Sequence, residues 1–297
     1  MSDREWPAVT VIVPSFNHEE FIRETIKSCI KQDYPGLIDI VVVDDCSTDN
    51  SFAVATEIAK TSVADRRVSV FLKEQRTGIN QSIEFGLRHS VGEFVQLLAS
   101  DDVIAKGKIR EQVDLLIKDD LDCVYGDAII LGSTGRERVT YPDFVDEQTR
   151  KLRVCTQDTQ LPLAQSGLFR RSFLETIGPL RSEIESDDWA MLIYAVLHSR
   201  VGYLPKPMVF YRLHAGNSYK KAWPTLGMRV SVVGKVVPQD LRIRALSNVL
   251  SSHGELLWRT GQRSQGLRIY ISALTLSPIT SAFATYRRLR GRVRLRA

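Results

Sequence analysis

The sequence predicts an α/β fold: a Rossmann-like, mostly parallel sheet wound with helices, followed by a C-terminal helical extension. Three observations carry that prediction. Near-continuous β-branched runs at Val9–Pro14 and Ile38–Val43 have the composition of strands buried on both faces. Between and after them apolar residues recur at helical spacing, so strand and helix patterns alternate. From about Ala222 the alternation stops and every apolar stripe is helical.

Pro14 ends the first strand, and a loop through His18 leads into a helix marked by Ile22, Ile26, Cys29 and Ile30, which Tyr34, Pro35 and Gly36 terminate. The strand Ile38–Val43 runs straight into Asp44 and Asp45. A helix at about 51–61, a strand at 68–72 and a helix at 78–89 follow. Next comes the short apolar run Val95–Leu98, ended by Asp101 and Asp102, and then a helix bearing Ile109, Val113, Leu116 and Ile117. Cys123–Tyr125 reads as another strand. Between Gly126 and Leu163 periodicity fades, and inserted hairpins and loops are expected. After a short helix ending at Ile177, the residues Trp189, Leu192, Ile193, Val196 and Leu197 mark the clearest amphipathic helix, opened by Asp187 and Asp188. Short strands at 201–204 and 208–211 flank Pro205 and Pro207 and lead to Arg212 and His214. Stripes at 246–257 and 267–274, interrupted by Gly261, predict a helical hairpin. The domain reading is therefore 1–220 for the α/β domain and 221–297 for the helical region with its basic tail.

At 297 residues, 43% hydrophobic and 25% charged, the chain has an ordinary globular composition with a net charge of +5. The charge is uneven: Arg287, Arg288, Arg290, Arg292, Arg294 and Arg296 close the chain with no acid among them, which suggests an anionic surface as partner. No aromatic or groove-reading motif accompanies these arginines, so nucleic acid is not expected. Cys29, Cys46, Cys123 and Cys155 lack metal-type spacing and read as reduced residues of a reducing compartment. No secretory signal and no apolar run long enough to span a bilayer is apparent, so the expected location is cytoplasmic or peripheral to a membrane.

The chemistry is expected where acids end strands. In open α/β sheets the ligand crevice lies outside the carboxyl ends of the strands, and a carboxylate there can hold a divalent cation that grips a diphosphate. Asp44–Asp45, Asp101–Asp102 and Asp187–Asp188 fall at such places in one chain. Each also has a plain structural use. Asp44 and Asp45 suit an Asx turn, Asp102 suits the N-cap of the next helix, and Asp187 and Asp188 complement a helix dipole.

These clusters, in this order, resemble the family 2 glycosyltransferases, inverting enzymes of the GT-A (nucleotide-diphospho-sugar transferase) fold. The matching stretches are Val9-Thr-Val-Ile-Val-Pro-Ser-Phe-Asn17, Val41-Val-Val-Asp-Asp-Cys-Ser-Thr-Asp49, Gly92-Glu-Phe-Val-Gln-Leu-Leu-Ala-Ser-Asp-Asp102, Ser186-Asp-Asp-Trp189 and Tyr211-Arg-Leu-His214. The resemblance implies that Pro14, Ser15, Phe16, Asp44 and Asp45 cradle base and ribose, with Gly78 and Ser100 also lining the nucleotide-sugar site. It implies that Asp101 is the metal-binding second acid of an Asp-x-Asp motif and that Asp188 is the catalytic base. The first acid of that motif is Ala99 here. Ile83 and Glu84 stand where many members carry Arg-Asn, which leaves diphosphate binding to Arg76, Arg212 or His214, and His214 is also a candidate metal ligand.

The expected partners are a nucleotide-diphosphate sugar, a UDP-sugar in first place, and a saccharide or lipid-linked acceptor. The expected cofactor is Mn²⁺ or Mg²⁺, and the expected setting is bacterial surface-polysaccharide synthesis. A sugar-nucleotide nucleotidyltransferase would share this layout but would want a glycine-rich basic loop after the first strand, where Ser15 to Glu20 is aromatic and acidic. A non-catalytic nucleotide-sugar-binding relic is the other alternative, and Ala99 is its best argument.

Overall fold

In the computed structural model, which describes residues 5–132, 135–141, 146–158, 160–177, 188–214 and 222–278, the two β-branched runs form the centre of one sheet. Strands β1 (Val9–Ser15) and β2 (Ile38–Asp44) pair in parallel along their whole length, and β2 is buried at every position. Each fully buried Val or Ile there contributes roughly 1.5–3 kcal/mol, which is why these stretches read as strands with no alternation. β3 (Arg66–Leu72) pairs with β2, and β4 (Phe94–Leu97) pairs with β1, both in parallel. The helices between them are α1 (Ile22–Ile30), α2 (Ser51–Ala59) and α3 (Ile79–Arg88), and α4 (Lys108–Lys118) follows β4.

Beyond β4 the sheet turns mixed. Its remaining strands are β5 (Val103–Ile104), β6 (Cys123–Gly132), β7 (Gly135–Val139), β8 (Leu168–Arg170) and β9 (Val201–Arg212), in the order β3-β2-β1-β4-β8-β6-β9-β5 with β7 on β6. β8 runs antiparallel to both β4 and β6, while β9 is parallel to β6. The carboxyl ends of β1, β2, β4 and β9 therefore share one edge.

Three expectations change in the structure. The two short strands at 201–204 and 208–211 are one, β9. Its register against β6 shifts on either side of Asp127, opposite Pro207, so prolines without an N–H are absorbed at an irregularity. The stretch 126–163 contains the expected hairpin, β6–β7, but also a helix, α5 (Glu147–Thr156). Its buried residues are Arg150, Val154, Cys155 and Thr156, too polar to show an apolar period, although Asp146 caps it by accepting from Thr149 N (2.6 Å). Asp102 does not cap a helix: β5 comes next, and α4 starts after Gly107.

Two compact units result. The first comprises 1–142, 162–188 and 198–215, and the second comprises 143–161, 189–197 and 216–297. The first holds the sheet, the short helix α6 (Arg171–Thr176) and an aliphatic core that includes Val11, Ile26, Ile40, Val113 and Leu168. Within it Lys108 is fully buried, its Nζ held by Gln96, by Gln112 Oε1 (2.5 Å) and by Gly167 O (3.0 Å). The second unit contains α5, α7 (Asp188–His198) beyond its first residue and short of its last, α8 (Ala222–Lys235), α9 (Arg242–Arg259) and α10 (Arg263–Leu276). Trp189 donates through Nε1 to Val154 O (2.7 Å), and Asn248 Nδ2 donates to Thr156 O (2.8 Å), which ties α5 to α7 and α9. Arg287 to Arg296 lie outside the described residues, as does Asp187. Cys29, Cys46, Cys123 and Cys155 are all free thiols, and among the described residues no helix is long and apolar enough to cross a membrane.

Gly92 marks how tightly the sheet is drawn ahead of β4. Its N–H donates to Thr10 Oγ1 (2.9 Å), and a Cβ there would lie 2.2 Å from Thr10 N. Backbone cannot retreat as a flexible side chain can. Gly92→Ala should therefore destabilise the protein by about 3 kcal/mol or more, read as a lower midpoint in chemical denaturation; an unchanged midpoint would show that the approach is looser than described.

Candidate active site

The loops that follow β1 and β2 are locked together by short polar side chains. Asn17 N donates to Ser47 Oγ (2.9 Å), Thr48 N donates to Asn17 Oδ1 (2.8 Å), and His18 N donates to Ser51 Oγ (2.8 Å). Glu19 N donates to Asp49 Oδ2 (3.0 Å), and Asn50 N returns a bond to Glu19 Oε2 (2.9 Å). Asp44 makes the expected Asx turn, receiving Ser47 N (2.7 Å) and Ser47 Oγ (2.8 Å) on its two oxygens. Asp45 faces the other way, into the loop before α3. Its oxygens accept from Lys73 Nζ (2.9 Å), Thr77 N (2.9 Å) and Gly78 N (2.8 Å). Burial alone would raise the Asp45 carboxyl, but the ammonium and the two amides outweigh it and hold the group below the ordinary carboxylate range.

These bonds leave Pro14 and Ser15 at the end of β1, with Ser15 directly opposite Asp44. The Arg76 guanidinium lies 3.8 Å from the centroid of the Phe16 ring, so a flat cationic and aromatic pair sits beside the loop.

The turn after β4 is the densest part of the site. Ser100, Asp101 and Asp102 are all buried, at 1%, 7% and 0% exposure. Thr25 of α1 donates to Ser100 O (2.9 Å), and Arg212 donates from its backbone to Asp102 Oδ1 (3.0 Å) and from its guanidinium to Asp101 O (2.7 Å). The other arm of Arg212 pairs with Glu24. Arg212 thus holds the acidic turn in place. Burial first, then the neighbouring Asp101 charge, pushes the Asp102 carboxyl up to about 8; Arg212 works against this, and the Asp188 charge adds to it.

Asp101 has two histidines around it. His214 Nε2 lies 2.8 Å and His18 Nε2 3.9 Å from Asp101 Oδ2, and one ligand atom from each of the three residues fits within 4.8 Å. His18 Nδ1 is 2.7 Å from Ser100 Oγ, which fixes the ring with Nε2 toward Asp101. Burial holds His18 below the ordinary histidine value, and the Asp101 charge offsets this only in part. A neutral imidazole is the form that ligates metal. Two imidazoles, one carboxylate and the remaining positions open to other ligands fit a divalent first-row ion.

Asp188 is exposed and is the first residue of α7. Its charge acts on Asp102 and on Tyr125, whose hydroxyl is pushed well above its usual value by burial first, then by Cys123 and Asp188. The structure thus brings His18, Ser100, Asp101, Arg212 and His214 into one network. Asp44, Asp45 and Gly78 belong to the adjoining loop network, and Phe16 and Arg76 form their own pair. His18, Glu24 and Thr25 are additions. His18 was readable as a metal-type side chain in the loop after a buried strand, whereas Glu24 and Thr25 gave no signal.

The sheet is mixed, its acids stand at the carboxyl edge, and a histidine–aspartate cluster lies beside them. Two solved structures share the fold. Residues 1–349 of TarS from S. aureus, in complex with UDP-GlcNAc, align with a TM-score of 0.65 at 20% identity over 90% of this chain and 79% of that one. The mannosyltransferase PcManGT from Pyrobaculum calidifontis, in complex with GDP-Man and Mn²⁺, aligns with a TM-score of 0.64 at 21% identity over 97% and 83%. The sequence profile of glycosyl transferase family 2 matches residues 10–178, more than half of the chain, and the protein belongs to that family.

Among curated relatives, an uncharacterized glycosyltransferase of Haemophilus influenzae is 30% identical over 120 residues, which is 40% of this chain and 46% of that protein. The UDP-Glc:alpha-D-GlcNAc-diphosphoundecaprenol beta-1,3-glucosyltransferase WfgD of Escherichia coli is 29% identical over 125 residues, 42% and 47% of the two chains. The aligned part covers about half the length of these relatives.

The three-residue cluster predicts its own dissection. His18→Ala and His214→Ala should each weaken Mn²⁺ binding by ~10-fold or more, and Ser100→Ala by less, because it only frees the His18 ring. Calorimetric titration with Mn²⁺ reads this directly, and equal affinity in wild type and both histidine variants would remove the cluster from consideration.

Proposed function

We propose that the protein is an inverting glycosyltransferase that moves a sugar from a nucleotide-diphosphate sugar, a UDP-sugar in first place, to a hydroxyl of a saccharide or lipid-linked acceptor in bacterial surface-polysaccharide synthesis. The observation that carries the reading is the His18–Asp101–His214 cluster at the carboxyl edge of a sheet whose family transfers sugars. Residues 1–220 form the transferase domain and 221–297 its helical extension. The site works at the inner face of the cytoplasmic membrane, where the terminal arginines from Arg287 meet anionic lipid.

Transfer with inversion needs a base on the acceptor hydroxyl and charge neutralisation at the departing diphosphate, acting on opposite faces of the sugar. A cation at the cluster, when bound, supplies positive charge to the diphosphate oxygens. Two imidazoles beside one carboxylate favour Mn²⁺ over Mg²⁺, which prefers oxygen ligands and dehydrates reluctantly. Asp101 and His214 would hold it, and His18 would complete the set. Arg212 keeps Asp101 in place while Phe16, stacked with Arg76, offers its face to the base. Pro14, Ser15, Asp44, Asp45, Gly78 and Ser100 shape the wall around the nucleotide. Asp188 takes the acceptor proton, and its place at a helix N-terminus favours the ionised form that a base requires.

A panel of nucleotide sugars, with Mn²⁺ and without acceptor, tests the class, since a transferase slowly releases the nucleoside diphosphate whereas a nucleotidyltransferase or a binding relic does not. Asp188→Asn should lower transfer to an acceptor by ~100-fold or more while nucleotide binding survives; activity within tenfold of wild type would end the assignment of the base. Asp101→Ala should abolish the Mn²⁺-dependent part of nucleoside diphosphate binding in calorimetry, and binding indifferent to both the substitution and EDTA would refute the metal role.

A further inference from the structure

Helices α9 and α10 approach so closely that hardly any side chain fits between them. A Cβ on Gly254 would lie 2.9 Å from Gly266 O, and one on Gly266 would lie 2.6 Å from Gly254 O. α10 consequently buries only Gly266 and Ala273. Ile269, Tyr270 and Leu274 are half-buried. Leu267 and Ile271, one turn apart, are each 50% exposed, and Arg263 precedes Leu267 by the same step.

Two tryptophans flank the turn that joins the two helices. Trp258, near the end of α9, is 50% exposed, with the Arg263 guanidinium 5.9 Å from its ring centroid. Trp223 of α8 is 47% exposed and donates Nε1–H to Gln262 Oε1 (3.3 Å) in the turn. Two of the four tryptophans in the chain therefore stand half-exposed at one end of a helical hairpin. Arg259, Arg263 and Arg268 are exposed around them. From Leu256 to Pro278 the chain holds three arginines, Arg259, Arg263 and Arg268, and no aspartate, glutamate or lysine.

We propose that this end of the α9–α10 hairpin docks on the surface of an anionic phospholipid bilayer. Trp223, Trp258, Leu267 and Ile271 enter the headgroup region, and Arg259, Arg263 and Arg268 pair with lipid phosphates. Indole rings settle where one edge is apolar and the other wet, and guanidinium groups reach phosphate while their stems lie along apolar surface. A leaflet accepts aliphatic, indole and guanidinium groups on one face and repels carboxylates, which matches an acid-free stretch of this length. The surface is argued from the hairpin alone and stands whether or not the transferase reading does.

Sedimentation of the full chain with vesicles of phosphatidylglycerol and phosphatidylcholine, or of phosphatidylcholine alone, tests it. The wild type should pellet with the anionic vesicles only. Leu267→Ser with Ile271→Ser should lower the partition coefficient by ~10-fold or more, and Arg263→Gln with Arg268→Gln by ~20-fold, with the fold intact because all four positions are exposed. A full chain in which Arg287, Arg288, Arg290, Arg292, Arg294 and Arg296 are all changed to Gln should keep binding that remains sensitive to the hairpin substitutions. Wild-type partitioning of both hairpin variants would overturn the proposal, as would binding indifferent to lipid charge or loss confined to the tail variant. A dimer in sedimentation velocity that Leu267→Ser with Ile271→Ser dissolves would give the face to a second copy and overturn it too. Nucleotide-sugar hydrolysis should be unchanged in the hairpin variants, so a failure on vesicles stays distinct from a failure of the transferase reading.

Discussion

Two adjacent carboxylates buried at the end of a strand cannot both carry charge without cationic or hydrogen-bonding partners, and much of the site answers to that constraint. Asp102 is the more deeply buried and is pushed up to about 8. Asp101 is served by His214 and, at longer range, by His18. Arg212 reaches the same turn with both its backbone and its guanidinium. It does so because β9 is long enough to carry it there: an unbroken strand past Pro205 and Pro207 ends at the acidic turn, with His214 two residues further on. A shorter β9 would leave the acids without either partner.

The same constraint explains why α1 belongs to the site although it carries no residue of the expected chemistry. Glu24 takes one arm of Arg212, and Thr25 donates to the carbonyl of Ser100, so the first turns of α1 brace the acidic turn together with the end of β9. His18 arrives by another route. Its backbone is pinned to Ser51, its ring to Ser100, and its remaining nitrogen points at Asp101. Two chain segments far apart in sequence, 18–25 and 212–214, thus converge on Ser100, Asp101 and Asp102, three buried residues whose polar groups water cannot satisfy cheaply.

Legibility in the sequence followed burial chemistry. β1, β2 and β4 were readable because strands covered on both faces leave continuous apolar runs, and α7 because its buried side is wholly apolar. α5 was missed since it buries Arg150 and Thr156, and β9 was split in two because its prolines sit at a register shift that pattern alone does not reveal. At the site, the acids were visible as adjacent pairs at strand ends. His18 offered only its side-chain type in a loop after a buried strand, and Glu24 and Thr25 offered nothing, because what recruits them is proximity across 75 to 188 positions of chain rather than spacing within it.

The interlocked loops after β1 and β2 bear on how such proteins inherit their recognisable signatures. Asn17, Ser47, Asp49 and Ser51 spend their polar atoms on one another and on backbone, and Asp44 closes its own turn. Selection for a folded chain is enough to keep them, since any one exchanged alone strands its partners. A descendant that had lost its chemistry would still display the Asp-Asp-Cys-Ser-Thr-Asp stretch intact. Descent of the fold is therefore written in those loops, while the proposed activity rests on His18, Asp101 and His214, which nothing in the packing of the loops compels the chain to retain.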